Sequence, residues 1–179
     1  NKRIYQIGET YGSPDLIKSY ISSGMLDAQF DFNLYDAAVS TFAKGEDFDN
    51  LVNVLEASLN SYGTHHLMGN IPGNQDRSRF VTLADGDLQF DEDQKLAGWT
   101  REFGKPNHQE SYNKLAMLHA FNFAIPGIPV IYYGDEYGMP GANDPDNRRQ
   151  MLFEGLDERE IDEKRQVTEL IRLRKNNLA

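Results

Sequence analysis

The stretch Ile128-Pro129-Val130-Ile131-Tyr132-Tyr133-Gly134-Asp135-Glu136 decides how the chain is read. Residues 128–133 form an apolar run of strand length; Gly134 breaks it, and two acids follow at once. Just before it, residues 110–124 place Tyr112, Leu115, Met117, Leu118, Phe121 and Phe123 at helical spacing, and Pro126-Gly127 ends that segment. A helix feeding an apolar strand that opens into a polar loop is the repeating unit of a parallel α/β sheet.

The same alternation recurs upstream. Residues 3–7 are β-prone and stop at Gly8, and Ser13-Pro14-Asp15 reads as a helix start with proline in the first turn. Residues 27–32 alternate as a second strand, and 34–42 follow as a short helix. Asp49 is placed to cap a helix with Leu51, Val52, Leu55 and Leu59 on its apolar face. Residues 66–69 are a very short third strand, 70–79 a Gly/Pro/Asn-rich loop, and 80–83 and 91–98 helical. Residues 99–106 read as loop. Residues 162–175 close the chain as a helix with Val167, Leu170, Ile171 and Arg174 on one stripe. Four strand–helix units in series predict an α/β fold with parallel strands, doubly wound or barrel. No short repeat, low-complexity tract or composition shift divides residues 1–179, so one domain is expected.

Composition narrows the partners. The formal charge is −10, which argues against nucleic-acid or anionic-membrane surfaces, since both call for Lys/Arg clusters. No apolar run approaches the ~18 residues that span a bilayer. The absence of cysteine excludes disulfides and thiolate metal sites and is mute about compartment. The N-terminus is not a signal peptide, lacks an initiator Met and opens inside a strand-like segment. The chain therefore reads as a piece of a longer protein.

In parallel α/β folds the chemistry gathers at the C-terminal ends of the strands. Gly8-Glu9-Thr10 follows the first strand and Asn74-Gln75-Asp76 the third. Gly134-Asp135-Glu136 and then Asn143-Asp144-Pro145-Asp146-Asn147-Arg148 follow the fourth. Acids thus collect at one mouth. That suits glycoside hydrolysis, where one carboxyl protonates the leaving oxygen and another stabilises or attacks the anomeric carbon. It equally suits a hard divalent cation. Each residue also has a plainer reading. Glu9 can be a simple strand-end carboxylate, Asp76 and Asp144 turn formers, and Arg148 a surface ion-pair member. Asp135 and Glu136 read as loop-ordering groups. His65 and His66, adjacent on a strand, would point to opposite faces and read as structural. Trp99 and the tyrosines could be sugar platforms, though Tyr132 or Tyr133 suits the strand's core side better.

Three stretches resemble the α-amylase family of glycoside hydrolases, family 13, and cover nearly the whole chain. Residues 7–15 (IGETYGSPD) are similar to the family's fifth-strand motif, 73–80 (GNQDRSRF) to its seventh, and 127–149 (GIPVIYYGDEYGMPGANDPDNRR) to its eighth strand and sugar-binding loop. Their order and spacing agree with the family, nearest to neopullulanase- and maltodextrin-glucosidase-like members. The resemblance implies the C-terminal half of a TIM (β/α)8 barrel, parallel strands five to eight with their helices. The N-terminal half and the C-terminal β-sandwich would be absent. It implies a retaining α-glucan hydrolase acting on starch or maltodextrins. Glu9 would be the catalytic acid/base and Asp76 the transition-state-stabilising acid. Asn74, Gln75, Asp144 and Arg148 would bind substrate.

Two departures stand out. Gln75 replaces the family's usual His; it can still donate to a sugar hydroxyl but cannot titrate. The nucleophilic Asp belongs to the family's fourth strand, which precedes everything matched here, so the fragment is expected to be inactive alone. No cofactor or metal set is assigned to these residues, while a parent enzyme could carry calcium. The open edges of a half barrel predict a homodimer. A non-catalytic glucan- or protein-binding homologue and an α-glucan transglycosidase fit the same residues and stay open.

Overall fold

The computed structural model describes residues 4–177. Its strands are β1 (Ile7–Gly8), β2 (Ala28–Gln29), β3 (Gly69–Asn70) and β4 (Ile128–Pro129), all parallel. β1 pairs with β2, setting Ile7 opposite Ala28; β3 pairs with β4, setting Gly69 opposite Ile128. A single parallel bridge, Phe30 to Gly69, ties the two small sheets together. The α/β class with parallel strands agrees with the sequence reading, but the strands are far shorter than predicted. After Pro129 one more ladder bond forms, Val130 N to Asn70 O at 2.9 Å. The chain then turns through Gly134 at φ 89° into a 3-10 turn, Asp135–Tyr137. The third strand begins at Gly69, so His66 precedes it in an irregular segment, its Nδ1 accepting from Met68 N at 3.2 Å. Arg3, the first residue of the first predicted strand, lies outside the described residues.

Gly69 is what lets the two sheets meet. A β-carbon there would stand 2.7 Å from both the Ile7 side chain and the Phe30 ring.

The helices begin where local chemistry tells them to. α1 (Pro14–Ser22) is capped by Ser13, whose hydroxyl accepts from Leu16 N, with Pro14 in the first turn. α2 (Phe32–Val39) is capped by Asp31 and continues into one π-turn, Ser40–Lys44, that ends at Gly45. α3 (Phe48–Tyr62) corrects the predicted cap. Asp47 is the capping residue and accepts from Asp49 N at 3.0 Å, so Asp49 already lies in the first turn. Phe48 is helical, and Asp47 is the last residue with extended backbone. α4 (Phe80–Asp85) and α5 (Gln94–Thr100) follow; α5 takes in Trp99 and Thr100, where a loop is predicted. α6 (Gln109–Ala124) packs between α4 and α7 (Glu158–Asn177). α7 starts earlier than predicted because Asp157 accepts from Arg159 N and Glu160 N while Glu160 accepts from Asp157 N, a reciprocal capping box.

One apolar cluster joins these layers. Leu115 and Leu118 of α6 meet Phe80, Val81 and Leu88, and the cluster continues through Phe32, Val39 and Phe42. Each such side chain stabilises the fold by about 1.5–3 kcal/mol on burial. The Arg174 guanidinium closes the end of α6 by donating to the carbonyls of Phe123, Ile125 and Gly127.

Candidate active site

Three loops meet beyond the strand ends. Glu9 follows β1, residues 74–76 follow β3, and residues 143–148 follow β4. Asn74 is buried and works in two directions. Its Nδ2 donates to Glu9 Oε1 at 2.9 Å, and its Oδ1 accepts from Asp76 N at 2.9 Å, a local turn that tightens the loop. Gln75 Nε2 donates to Glu9 Oε2 and to Asp76 Oδ2, both at 3.1 Å, so one amide bridges the two acids. Arg148 Nη2 donates to Asp76 Oδ1 at 2.9 Å, its Nε to Gln75 O at 2.9 Å, and Asp144 Oδ1 sits 3.3 Å from the same Nε. All six residues singled out from the sequence thus share one polar network.

The network is open to solvent. Glu9 is exposed, and the Asp76 and Arg148 side chains keep 50% and 42% of their accessible surface. Three carboxylates (Glu9, Asp76, Asp144) face one guanidinium and two amides. Such a set offers hydroxyl-bearing ligands both donors and acceptors.

Beneath it lies a buried support of which the sequence marks only Asp135, as a loop-ordering group. Asn147 is fully buried, and its Nδ2 donates to the carbonyls of Gln75 at 2.8 Å, Arg77 at 2.7 Å and Asn74 at 3.3 Å. It clasps the β3 loop to the β4 loop. Arg79, also buried, pairs with Asp135 at 2.8 Å and donates to Tyr133 O and Asn147 O. Its guanidinium stacks over Tyr132 at 4.3 Å. Burial raises the Asp135 carboxyl to about 6 against the opposing pull of Arg79. Gly73 makes room for this acid, since a β-carbon there would stand 2.9 Å from Asp135 Oδ2. A buried Asn inside a charged stretch carries no sequence-level mark. Arg79 falls within residues 73–80, the stretch similar to the seventh-strand motif, with no role assigned to it from the sequence. Arg77 turns the other way, pairing with Asp36 at 3.1 Å and lying over the Tyr11 and Tyr35 rings.

Among the described residues, no group of three or more His, Cys, Asp or Glu side chains could hold a metal ion. No described helix is long and apolar enough to cross a membrane.

Parallel strands whose following loops gather carboxylates into one network define an α/β protein with an acid-lined site. Residues 1–172 match the model of the alpha-amylase catalytic domain, and the chain belongs to that family. It is similar to a cyclomaltodextrinase of Geobacillus thermopakistaniensis, 29% identical over 98% of this chain and 26% of that protein. A cyclomaltodextrinase of Thermoanaerobacter pseudethanolicus is 30% identical over 75% of this chain and 20% of that protein. The structure resembles an Anoxybacillus alpha-amylase with a TM-score of 0.74 and 29% identity, covering 97% of this chain and 33% of that one. It also resembles the Geobacillus thermoleovorans alpha-amylase complexed with acarbose, with a TM-score of 0.73 and 28% identity, covering 96% and 34%. The chain spans about a quarter or less of the two curated relatives and about a third of the two structures.

Proposed function

We propose that these residues are the C-terminal half of the catalytic barrel of a retaining α-glucan hydrolase of the α-amylase/neopullulanase type, acting on starch or maltodextrins. Glu9 is its acid/base. It protonates the glycosidic oxygen as the bond breaks, then takes a proton from the water that resolves the glycosyl-enzyme. The attacking carboxylate comes from the family's fourth strand, outside the segments matched here. Asp76 steadies the oxocarbenium-like transition states, Asn74 and Gln75 hold the acids and the sugar hydroxyls, and Asp144 with Arg148 grips the neighbouring glucose.

The observation that carries this reading is the shared amide: Gln75 Nε2 lies 3.1 Å from Glu9 Oε2 and from Asp76 Oδ2. Two acids far apart in sequence would thereby face one sugar. The test is hydrolysis of maltooligosaccharides. The 179-residue polypeptide alone should give no turnover. In the complete catalytic domain, Glu9→Gln should abolish turnover while maltoheptaose still binds. Robust turnover by the polypeptide would refute its dependence on an outside nucleophile, and unchanged turnover by Glu9→Gln would refute the acid/base assignment.

A half barrel leaves the outer edges of β1 and β4 unpaired. Beside β4, Phe123, Ile128, Pro129, Ile131 and Ile171 line an open groove of about 460 Å³. As an isolated polypeptide the chain should cover these surfaces by homodimerising. Light scattering that finds a monomer at high concentration would refute this.

A further inference from the structure

The loops that carry Glu9 and Asp76 touch a second time, away from both acids. Arg77 follows Asp76 directly, and Tyr11 lies two residues after Glu9. The Arg77 guanidinium carbon stands 5.3 Å from the Tyr11 ring centroid, 5.4 Å from that of Tyr35 and 5.9 Å from that of Phe32. All three lie within the ~6 Å over which an aromatic face holds a cation. Tyr11 is itself fixed. Its ring stacks on Phe32 with centroids 3.9 Å apart, and Asn33 Nδ2 donates to Gly12 O at 3.2 Å. Phe32 and Tyr35 belong to the buried apolar cluster, so the cage stands on the core.

We propose that Arg77 is a positioning residue, whose caged guanidinium holds the Glu9 loop against the Asp76 loop. Its Nε–H is buried and meets no acceptor among the described residues. Leaving a buried donor dry is costly, so hydrogen bonding does not account for where this side chain lies. The guanidinium also pairs with Asp36 at 3.1 Å, but that carboxylate is largely open to water. An exposed ion pair is weak and would not by itself draw the arginine out of solvent. The three rings supply what the ion pair does not.

A tie of this kind has a use that the polar network does not cover. The side-chain hydrogen bonds described between these two loops, from Asn74 at 2.9 Å and Gln75 at 3.1 Å, end on the Glu9 carboxyl itself. A sugar oxygen that engages this carboxyl competes with both. The loops therefore lose their polar ties just when the spacing of the acids counts. The contact of Arg77 with Tyr11 ends on neither acid, so a sugar at the acids does not compete with it. This inference rests on the α-glucan hydrolase reading above.

The test is steady-state hydrolysis of maltooligosaccharides by the complete catalytic domain, with Glu9→Gln run beside it. Arg77→Met keeps the apolar stem and removes the cation. It should lower kcat about tenfold, because small displacements of reacting groups are expensive in rate. It should move KM less than about twofold, because no uniform binding contact is lost. Arg77→Lys keeps a cation among the rings without the planar fork and should recover part of the loss. Asp36→Asn leaves the cage intact and should keep kcat within about twofold. If thermal unfolding shows that Arg77→Met has lost its fold, Tyr11→Leu removes the opposite half of the contact and should show the same fall in kcat. Unchanged kcat, or a loss confined to KM, overturns the inference. So does an equal loss in Asp36→Asn, since the ion pair would then be holding the loops. In each of those cases an inactive Glu9→Gln leaves the α-glucan reading standing. If Glu9→Gln keeps full turnover, or the complete domain hydrolyses no glucan, both fall.

Discussion

Arg148 reaches across 72 residues of sequence to donate to Asp76 Oδ1 at 2.9 Å. Both partners are substantially exposed, so the pair contributes little to stability, about 0–1 kcal/mol. Its value lies in geometry, because the same guanidinium also touches Asp144 and the Gln75 carbonyl. Arg148→Ala should therefore leave the melting temperature nearly unchanged and weaken maltooligosaccharide binding about tenfold. Arg148→Lys should rescue little, since an ammonium cannot fork between two carboxylates and a carbonyl. Calorimetry beside thermal unfolding checks both halves.

Asn147 presents the opposite case. It is wholly buried, and its amide donates to three carbonyls. Asn147→Leu should leave those carbonyls short of donors and cost about 1–3 kcal/mol for each one left dry. Asn147→Asp should be worse, because a carboxylate would face three carbonyl oxygens. Denaturant titration gives the cost. A binding loss larger than that of distant variants matched in stability would show that the clasp sets the site.

Arg79 and Asp135 form a buried ion pair at 2.8 Å. Removing one partner strands the other, and for such pairs the loss is about 3–5 kcal/mol. Arg79→Met should thus destabilise strongly, and adding Asp135→Leu should recover part of the loss. A double-mutant cycle in denaturant reads the coupling. Additive losses would show that the two charges do not depend on each other.

Two buried groups on α6 and α7 should contribute to the pH dependence of stability, beside Asp135. Burial pushes the Glu163 carboxyl up to about 8, with Asp162 adding to the rise, and pushes His119 down to about 4. Their side chains approach to 3.9 Å. The folded chain therefore binds the Glu163 proton more tightly than the unfolded chain does. That contribution is complete below the ordinary value of 4.5 and is lost as the pH climbs through about 8. His119 acts in reverse: its contribution is present above 6.5 and is lost as the pH falls through about 4. Glu163→Gln removes the first dependence. Its melting temperature should gain on the unmodified chain steadily between pH 5 and about 8 and level off above that. A constant difference across that window would refute the assignment.

Much of this was legible beforehand where chemistry is local. Ser13-Pro14 announced the start of α1, and the acids of residues 9 and 76 were read to one mouth because chemistry in parallel α/β folds sits at strand ends. What depended on distant partners was not legible. Residues 128–133 look like a full strand, yet β4 covers only Ile128–Pro129, because pairing needs a neighbour and Gly134 turns the chain away. Asp47 and Asp49 are equally good caps by composition, and only the backbone at Phe48 decides between them. Asn147 stayed hidden because its importance lies in three carbonyls some 70 residues away.

The contact of Gly69 with Ile7 and Phe30 carries a last consequence. The acidic crown rests on a greasy seam holding no functional group, where an added methyl would press on the Ile7 tip and the Phe30 ring. Screens for inactivating changes should return position 69 beside 9 and 76. On the function proposed above, a defect there would resemble lost chemistry with residues 9 and 76 unchanged.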